Sequence, residues 1–252
     1  MIVRAITTAL FFGFAALVLA LTFPLTLAVW LATWPFDRHH RAASRGLRGL
    51  GELIVSAFPF WRVTIEGTLP PPPATFVVVP NHQSMVDALA VARLPRDLKW
   101  IGKEEVFRIP WLGWAFHLAG HVPVDRADKL SGSAALARLR RYLDAGIPVG
   151  LFAEGTRSRD GTLRPFRAGP FKLAIDAGVP IIPVAIVGAG AAMPAGGLRI
   201  RRGEVRVRIL PPIPTAGLAG SDVDRLREAT REAIAAAIGE APSAGPPPSL
   251  QP

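Results

Sequence analysis

The chain has 252 residues, no cysteine and a formal net charge of +10. That length admits one large domain with a substantial core, or one domain plus an anchor, and the missing cysteines exclude disulfides, thiolate metal sites and cysteine nucleophiles. The positive charge, carried mostly by Arg, suits a solvated surface or attraction to anionic lipids and substrates; no basic helix, zinc finger or aromatic RNA-binding pattern points to nucleic acid.

In chain order, the first element is an apolar run. Ala5 to Phe36 comprises 32 residues without a formal charge. One transmembrane helix needs about 20 such residues. The run is too long for one upright span and too short for two, and Pro24 falls near its middle. Two readings stand: a tilted or kinked single span, or a helical hairpin that enters one leaflet and returns. A cleaved signal core, of about 7–15 residues, is about half as long. Arg38, Arg41, Arg45 and Arg48 follow the run, whereas only Arg4 precedes it. This asymmetry predicts an inner (cytoplasmic) membrane location with the following domain facing the cytoplasm. Trp30 and Trp34 suit an interfacial belt. Residues 38–58 mix Arg with Leu, Ile and Val at helical spacing, which predicts an amphipathic helix on the membrane surface.

Beyond the anchor (1–58), a domain spans 59–240. A short strand at Trp61–Glu66 precedes the stiff connector Pro70–Pro73. Apolar runs follow at Thr75–Val79, Leu98–Ile101, Val122–Val124, Val149–Ala153 and Ile181–Val187. Helical segments are predicted at roughly 85–94, 110–118, 131–145 and 170–178, with Gly146 and Gly178 closing the last two. The alternation predicts an α/β fold, a central β-sheet core covered by helices and preceded by a membrane-embedded helical segment. Leu198–Leu210 reads as a hairpin turning at Arg202–Gly203. Ser221 or Asp222 caps a final helix to about Ile238, and 241–252 form a disordered Pro/Ala/Ser tail.

The polar clusters all follow apolar strands. Thr75–Val79 leads into Asn81-His82, Leu98–Ile101 into Gly102-Lys103-Glu104, and Val122–Val124 into Asp125-Arg126. Val149–Ala153 leads into Glu154-Gly155-Thr156-Arg157-Ser158. In an open α/β sheet, ligands bind at the carboxyl ends of the strands, so parallel strands would make four clusters converge. His82 and Asp87 make a candidate base pair, because a carboxylate fixes the imidazole tautomer and stabilises the imidazolium. Ser84-Met-Val-Asp87 also matches a capping box. The two roles are compatible if one Asp87 oxygen faces the backbone and the other holds His82. Gly155 lets the backbone approach a ligand, Arg157 can fork onto a phosphate, and Thr156 and Ser158 can donate. Lys103 and Arg126 become phosphate ligands if they share the site, and surface charges otherwise. His117 and His121 have the spacing of a helical zinc pair, but the glutamate of that motif is missing. Gly120 and Val122-Pro-Val also predict that the helix ends before His121, so no metal site is assigned.

Together these clusters resemble the glycerolipid acyltransferase family, in particular the bacterial 1-acyl-sn-glycerol-3-phosphate acyltransferases. The resemblance covers about residues 60–210. It rests on His82 to Asp87 within Asn-His-Gln-Ser-Met-Val-Asp, on Gly120-His-Val-Pro-Val-Asp-Arg126, on Phe152-Ala-Glu-Gly-Thr-Arg-Ser158 and on Val179-Pro-Ile-Ile-Pro-Val184. One departure is His121-Val-Pro, where the family usually has bulky apolar residues. The resemblance implies a lysophosphatidic acid acceptor in the membrane, with its sn-2 hydroxyl at His82. Its phosphate would be held by Lys103 and Arg157, with Arg126 as a further ligand, while Glu154 and Gly155 shape the pocket. It implies an acyl-CoA or acyl carrier protein thioester as co-substrate and no other cofactor, and it favours the hairpin reading of residues 5–36. Another lysolipid acceptor, such as a lyso-aminolipid, and a non-catalytic lipid-binding role remain as alternatives.

Overall fold

The computed structural model describes residues 2–57, 60–158, 161–194, 197 and 200–239. The apolar run folds as one continuous helix, α1 (Ile2–Thr33), with Pro24 inside it. Pro24 brings no backbone N–H, and two neighbouring hydroxyls bond back along the helix: Thr22 donates to the Val18 carbonyl at 2.7 Å and Thr26 to the Thr22 carbonyl at 2.6 Å. The hairpin considered within 5–36 is therefore not formed there. The chain turns over 34–40 and returns as α2 (Arg41–Ala57). The amphipathic helix expected on the membrane surface is this α2, but its apolar face is taken by protein: Ala43, Leu47, Ile54 and Val55 are buried.

The turn is fastened to the rest of the molecule. Trp30 Nε1 donates to His40 Nδ1 at 2.8 Å, and Lys99 Nζ donates to the carbonyls of His40 at 2.9 Å and Ala119 at 2.7 Å. Lys99 is fully buried, and burial pushes its ammonium down to about 8.

The elements that follow are β1 (Trp61–Glu66), β2 (Val77–Pro80), α3 (Val86–Val91), β3 (Lys99–Lys103), α4 (Glu104–Phe107) and α5 (Leu112–Leu118). After them come β4 (Val122–Val124), α6 (Lys129–Asp144), β5 (Val149–Gly150), α7 (Gly169–Ala177), β6 (Ile181–Val187), α8 (Ala189–Ala192), β7 (Gly203–Ile209) and α9 (Val223–Gly239). They build one seven-stranded sheet of order β1-β7-β6-β2-β5-β3-β4. β2 lies between β6 and β5, with Val77 opposite both Ile181 and Val149, and all three run parallel. β3 pairs parallel with β5 and with β4. Residues 200–202 form no strand and β7 begins at Gly203, so the expected hairpin over 198–210 does not form; Leu198 and Arg199 lie outside the described residues. Instead β7 pairs antiparallel with β6 and parallel with β1. The predicted tail at 241–252 also lies outside the described residues.

Successive β2 residues face opposite sides, as the pleat requires. Phe76 and Val78 join a core with α1, α2 and α3 on one face; Val77 and Val79 join a second with α6, α7 and α9 on the other. Gly150 is needed between them, because a Cβ there would collide with the Trp100 ring. The parallel set β6, β2, β5, β3 and β4 turns its carboxyl ends to one side, which is where the site forms.

Candidate active site

β2 ends in four buried residues, and Asn81 continues its pairing with a side chain. The Asn81 amide donates to the Ile186 carbonyl at 3.0 Å and accepts from the Ile186 N–H at 2.6 Å. This fixes the chain at the position that precedes His82. His82 Nδ1 lies 2.8 Å from Asp87 Oδ2, and the Asp87 side chain is fully buried. The same oxygen accepts from the backbone N–H of Gln83 at 2.6 Å and of Ser84 at 2.7 Å. The division of labour expected between the two Asp87 oxygens is therefore not what forms. Oδ2 takes all three donors because it lies inside the loop that 82–84 closes, and Oδ1 is buried with no hydrogen-bond partner among the described residues. Of the capping box, the Asp87-to-Ser84 half forms. Ser84 Oγ accepts from Val86 N–H and donates to the Met193 carbonyl at 2.6 Å.

A carboxylate oxygen facing His82 Nδ1 requires Nδ1 to be the protonated nitrogen of the neutral ring. Nε2 is then the acceptor, and His82 is set up as a general base. Phe152 stacks on the imidazole at 4.1 Å between ring centroids, and Trp100 stacks on Phe152 at 5.6 Å. Two aromatic rings thus support one face of the base, and its side chain is 14% exposed.

The chain leaving β5 holds the base from behind. Glu154 Oε1 accepts from the His82 backbone N–H at 2.7 Å, and Oε2 accepts from the Arg164 N–H at 3.1 Å. The Ser158 N–H donates to the His82 carbonyl at 2.9 Å. Burial pushes the Glu154 carboxyl up to about 7, against the opposing pull of those two backbone N–H groups. Both Glu154 oxygens are directed at backbone, so Glu154 positions the His82 loop. Ser158 is buried, Thr156 exposed and Arg157 half-buried.

Gly155 has φ +71, and a Cβ there would collide with the Arg167 guanidinium. Its carbonyl accepts from Arg126 Nη1, and Arg167 Nη1 donates to the Arg126 carbonyl at 3.3 Å. Burial, then the neighbouring Arg167 charge, holds the Arg126 guanidinium below its ordinary value against the opposing pull of the Glu105 carboxylate; Arg157 adds to the lowering. Like charges this close repel, and a bound anion would relieve the repulsion. The structure thus brings together the clusters from β2, β4 and β5. Lys103, the last residue of β3, is held in an ion pair with Glu105 at 2.6 Å and is half exposed.

Sequence reasoning missed Arg164 and Arg167, which lie in a loop without periodic pattern, and missed the lock made by Asn81. A polar amide directly after a fully apolar strand was the available signal for Asn81. Helix α5 ends at Leu118, before His121, as expected. His117 packs on Phe107, whereas His121 is buried, accepts from the Trp100 N–H at 3.2 Å and is pushed down to about 3 by burial. The two imidazoles therefore serve different packing roles.

Residues 62–187 match the family model described as Acyltransferase. The chain is similar to a 1-acyl-sn-glycerol-3-phosphate acyltransferase of Chlamydomonas reinhardtii, at 37% identity over 81% of this chain and 60% of the relative. It is also similar to the human 1-acyl-sn-glycerol-3-phosphate acyltransferase alpha, at 36% identity over 65% of this chain and 59% of that protein. The chain thus spans about three fifths of the length of these relatives. Among solved structures, it is similar to the 1-acyl-sn-glycerophosphate (LPA) acyltransferase PlsC of Thermotoga maritima. That match has a TM-score of 0.78 and 26% identity, and covers 95% of this chain and 96% of the other.

Proposed function

The chain belongs to the acyltransferase family, and from that premise we propose that it moves an acyl chain from a thioester to the sn-2 hydroxyl of 1-acyl-sn-glycerol 3-phosphate, making phosphatidic acid. The observation that carries this reading is the His82–Asp87 pair at 2.8 Å beside a loop lined by Arg126, Arg157 and Arg167. His82 Nε2 takes the proton of the acceptor hydroxyl as that oxygen attacks the thioester carbonyl carbon. Asp87 stabilises the imidazolium that forms. When the tetrahedral adduct collapses, the carbon–sulfur bond breaks, and the imidazolium returns its proton to the leaving thiolate. A carbon–oxygen bond has then replaced a carbon–sulfur bond, and His82 is neutral again. No covalent enzyme intermediate is needed. The acceptor phosphate lies against the arginines, where forked N–H groups meet its oxygens. Acyl-CoA and acyl carrier protein present the same thioester, and either serves as donor in this scheme.

The acceptor is a membrane lipid, and α1 supplies the means of reaching it. Thr8–Thr33 has a mean hydropathy of 2.2, long and apolar enough to cross a membrane. Leu10, Leu17, Leu21 and Leu25 expose one face, while Phe11, Val18, Thr22 and Thr26 are buried on the other. Phe11 meets Trp61 of β1 at 5.0 Å and Phe23 meets Trp114 of α5 at 5.1 Å. With the domain packed along its length, α1 lies in one leaflet with its leucine face immersed, and the site opens towards the cytoplasmic surface.

Acyl transfer by the purified protein, offered lysophosphatidic acid and a panel of other lysolipids with one long-chain acyl-CoA, tests the reading. Preferential formation of phosphatidic acid, lost in His82→Ala, supports it. Preference for another lysolipid keeps the chemistry and overturns the acceptor. No transfer to any acceptor from either acyl-CoA or acyl carrier protein overturns the enzymatic reading.

A further inference from the structure

Three large apolar side chains outside the N-terminal helices are exposed in one short segment: Ile109 and Trp111 at 46% and Trp114 at 45%. The backbone there is fixed and strained. Trp111 has φ 66 and ψ −57, and the Leu112 N–H donates to the Pro110 carbonyl at 2.7 Å. That is a γ-turn with positive φ at a bulky residue, a conformation the surrounding structure must impose. Gly113 shows how: a Cβ there would collide with the Phe107 carbonyl, so the segment closes tightly on the buried Phe107. Strain of this kind presents an indole to solvent, where an aqueous domain gains nothing from it.

The patch does not stand alone. Phe23 of α1 meets Trp111 at 5.8 Å and Trp114 at 5.1 Å, both edge-on, and the two indoles lie 5.6 Å apart. Phe23 is half-buried and lies one helical turn from the exposed Ala20, at the edge of the exposed side of α1 rather than on its leucine stripe. The aromatic patch therefore extends the exposed side of α1 sideways, beyond the N-terminal helices. Indoles with one apolar end and one N–H prefer the boundary between lipid headgroups and chains.

We propose that Ile109–Trp114 is a second membrane-contact element, an indole wedge that enters the headgroup–acyl boundary beside α1. The proposal rests on the membrane association of α1 proposed above. It fixes the rotation of the domain about α1, which one helix cannot do, and so sets which way the carboxyl ends of the strands face the lipid.

The absence of cysteine makes the test direct. Ile109→Cys, Leu17→Cys on α1 and Ala235→Cys on α9 are each labelled with a fluorophore. They are then bound to phosphatidylcholine–phosphatidylglycerol vesicles carrying acyl chains brominated at shallow or deep positions. Ala235 is exposed on α9, which packs on the face of the sheet opposite α1, and serves as the dry control. The expected result is strong quenching at 17 and, by the shallow bromines, at 109, with none at 235. Quenching at 17 without quenching at 109 overturns the wedge and leaves the anchor standing. Quenching at neither overturns the membrane reading itself, and the wedge with it. A signal at 109 that follows protein density rather than bromine assigns the patch to a second copy of the chain and overturns the proposal. A milder variant, Ile109→Asp, is expected to weaken vesicle binding while leaving acyl transfer to a detergent-dispersed acceptor unchanged.

Discussion

The two sides of the site are built on opposite principles. Around His82 the contacts that fix the ring are already made: Asp87 Oδ2 holds the ring, Glu154 and Ser158 hold its backbone, and Phe152 covers one face, with Asp87 Oδ1 alone left without a partner among the described residues. Around Gly155 the arrangement is left charged and incomplete, with Arg126, Arg157 and Arg167 crowded together and no carboxylate ion-paired with them among the described residues. A group that moves a proton needs one fixed geometry, so the contacts that orient it are formed in advance. A group that binds an anion must keep its charge uncompensated until the anion arrives. Substitutions on the first side should therefore damage turnover, and those on the second should damage acceptor binding.

The largest effect is expected at His82. His82→Ala should lower kcat by about 10²–10⁴, with acceptor binding largely retained; a steady-state series that left kcat intact would merge the two sides. Asp87→Asn comes next, since it removes the charge beside the imidazolium and lets an amide N–H meet Nδ1 in the wrong tautomer. A kcat loss of about 10² or more is expected, again without a matching rise in acceptor KM.

Glu154→Gln sharpens the comparison differently. Glutamine keeps one acceptor for the two N–H groups of His82 and Arg164, and a buried unsatisfied N–H costs about 1–3 kcal/mol. The carboxyl has an ordinary value of 4.5 and is raised to about 7 in the folded chain. The folded state thus binds this proton more tightly than the unfolded one. Its contribution to stability is fully present below 4.5 and is lost as pH rises through about 7. Denaturant unfolding at several pH values should show that decline in the wild type and a flatter profile in Glu154→Gln.

Arg167→Gln should leave kcat near wild type and raise the acceptor KM about 10- to 100-fold, as expected for a charge-assisted hydrogen bond. The penalty should shrink for an acceptor without phosphate. Lys103→Gln should have the smallest effect, because its charge is half exposed and already paired with the exposed Glu105. A KM change as large as that of Arg167→Gln would move Lys103 into the phosphate site.

Much of this architecture was legible in the sequence, and the exceptions share a cause. Trp61–Glu66, Val122–Val124 and Ile181–Val187 were predicted with the bounds they have, because each is an alternating or apolar run closed by Gly or charge. The convergence of His82, Arg126 and Glu154 was expected on the condition that the strands run parallel, as β2, β5, β3 and β4 do. What failed depended on partners distant in the chain. The alternation over 198–210 looks like a local hairpin, yet β7 finds its partners in β6 and in β1, more than a hundred residues upstream. Of the two readings of the apolar run, the single helix forms with Pro24 inside it, and the hairpin that the resemblance favoured does not. Arg167 carried no pattern at all, since a loop residue acquires its role from what the fold brings to it. The two oxygens of Asp87 could not be told apart before the loop of 82–84 was seen to close on one of them.

The division between chemistry and binding is tested most directly by single-turnover acyl transfer to lysophosphatidic acid, followed as acceptor is raised to saturation in His82→Ala and Arg167→Gln. The account predicts that Arg167→Gln recovers the wild-type rate at saturation while His82→Ala stays slow at every concentration. Recovery of His82→Ala by added acceptor would contradict it, because the histidine would then be holding the substrate rather than taking its proton.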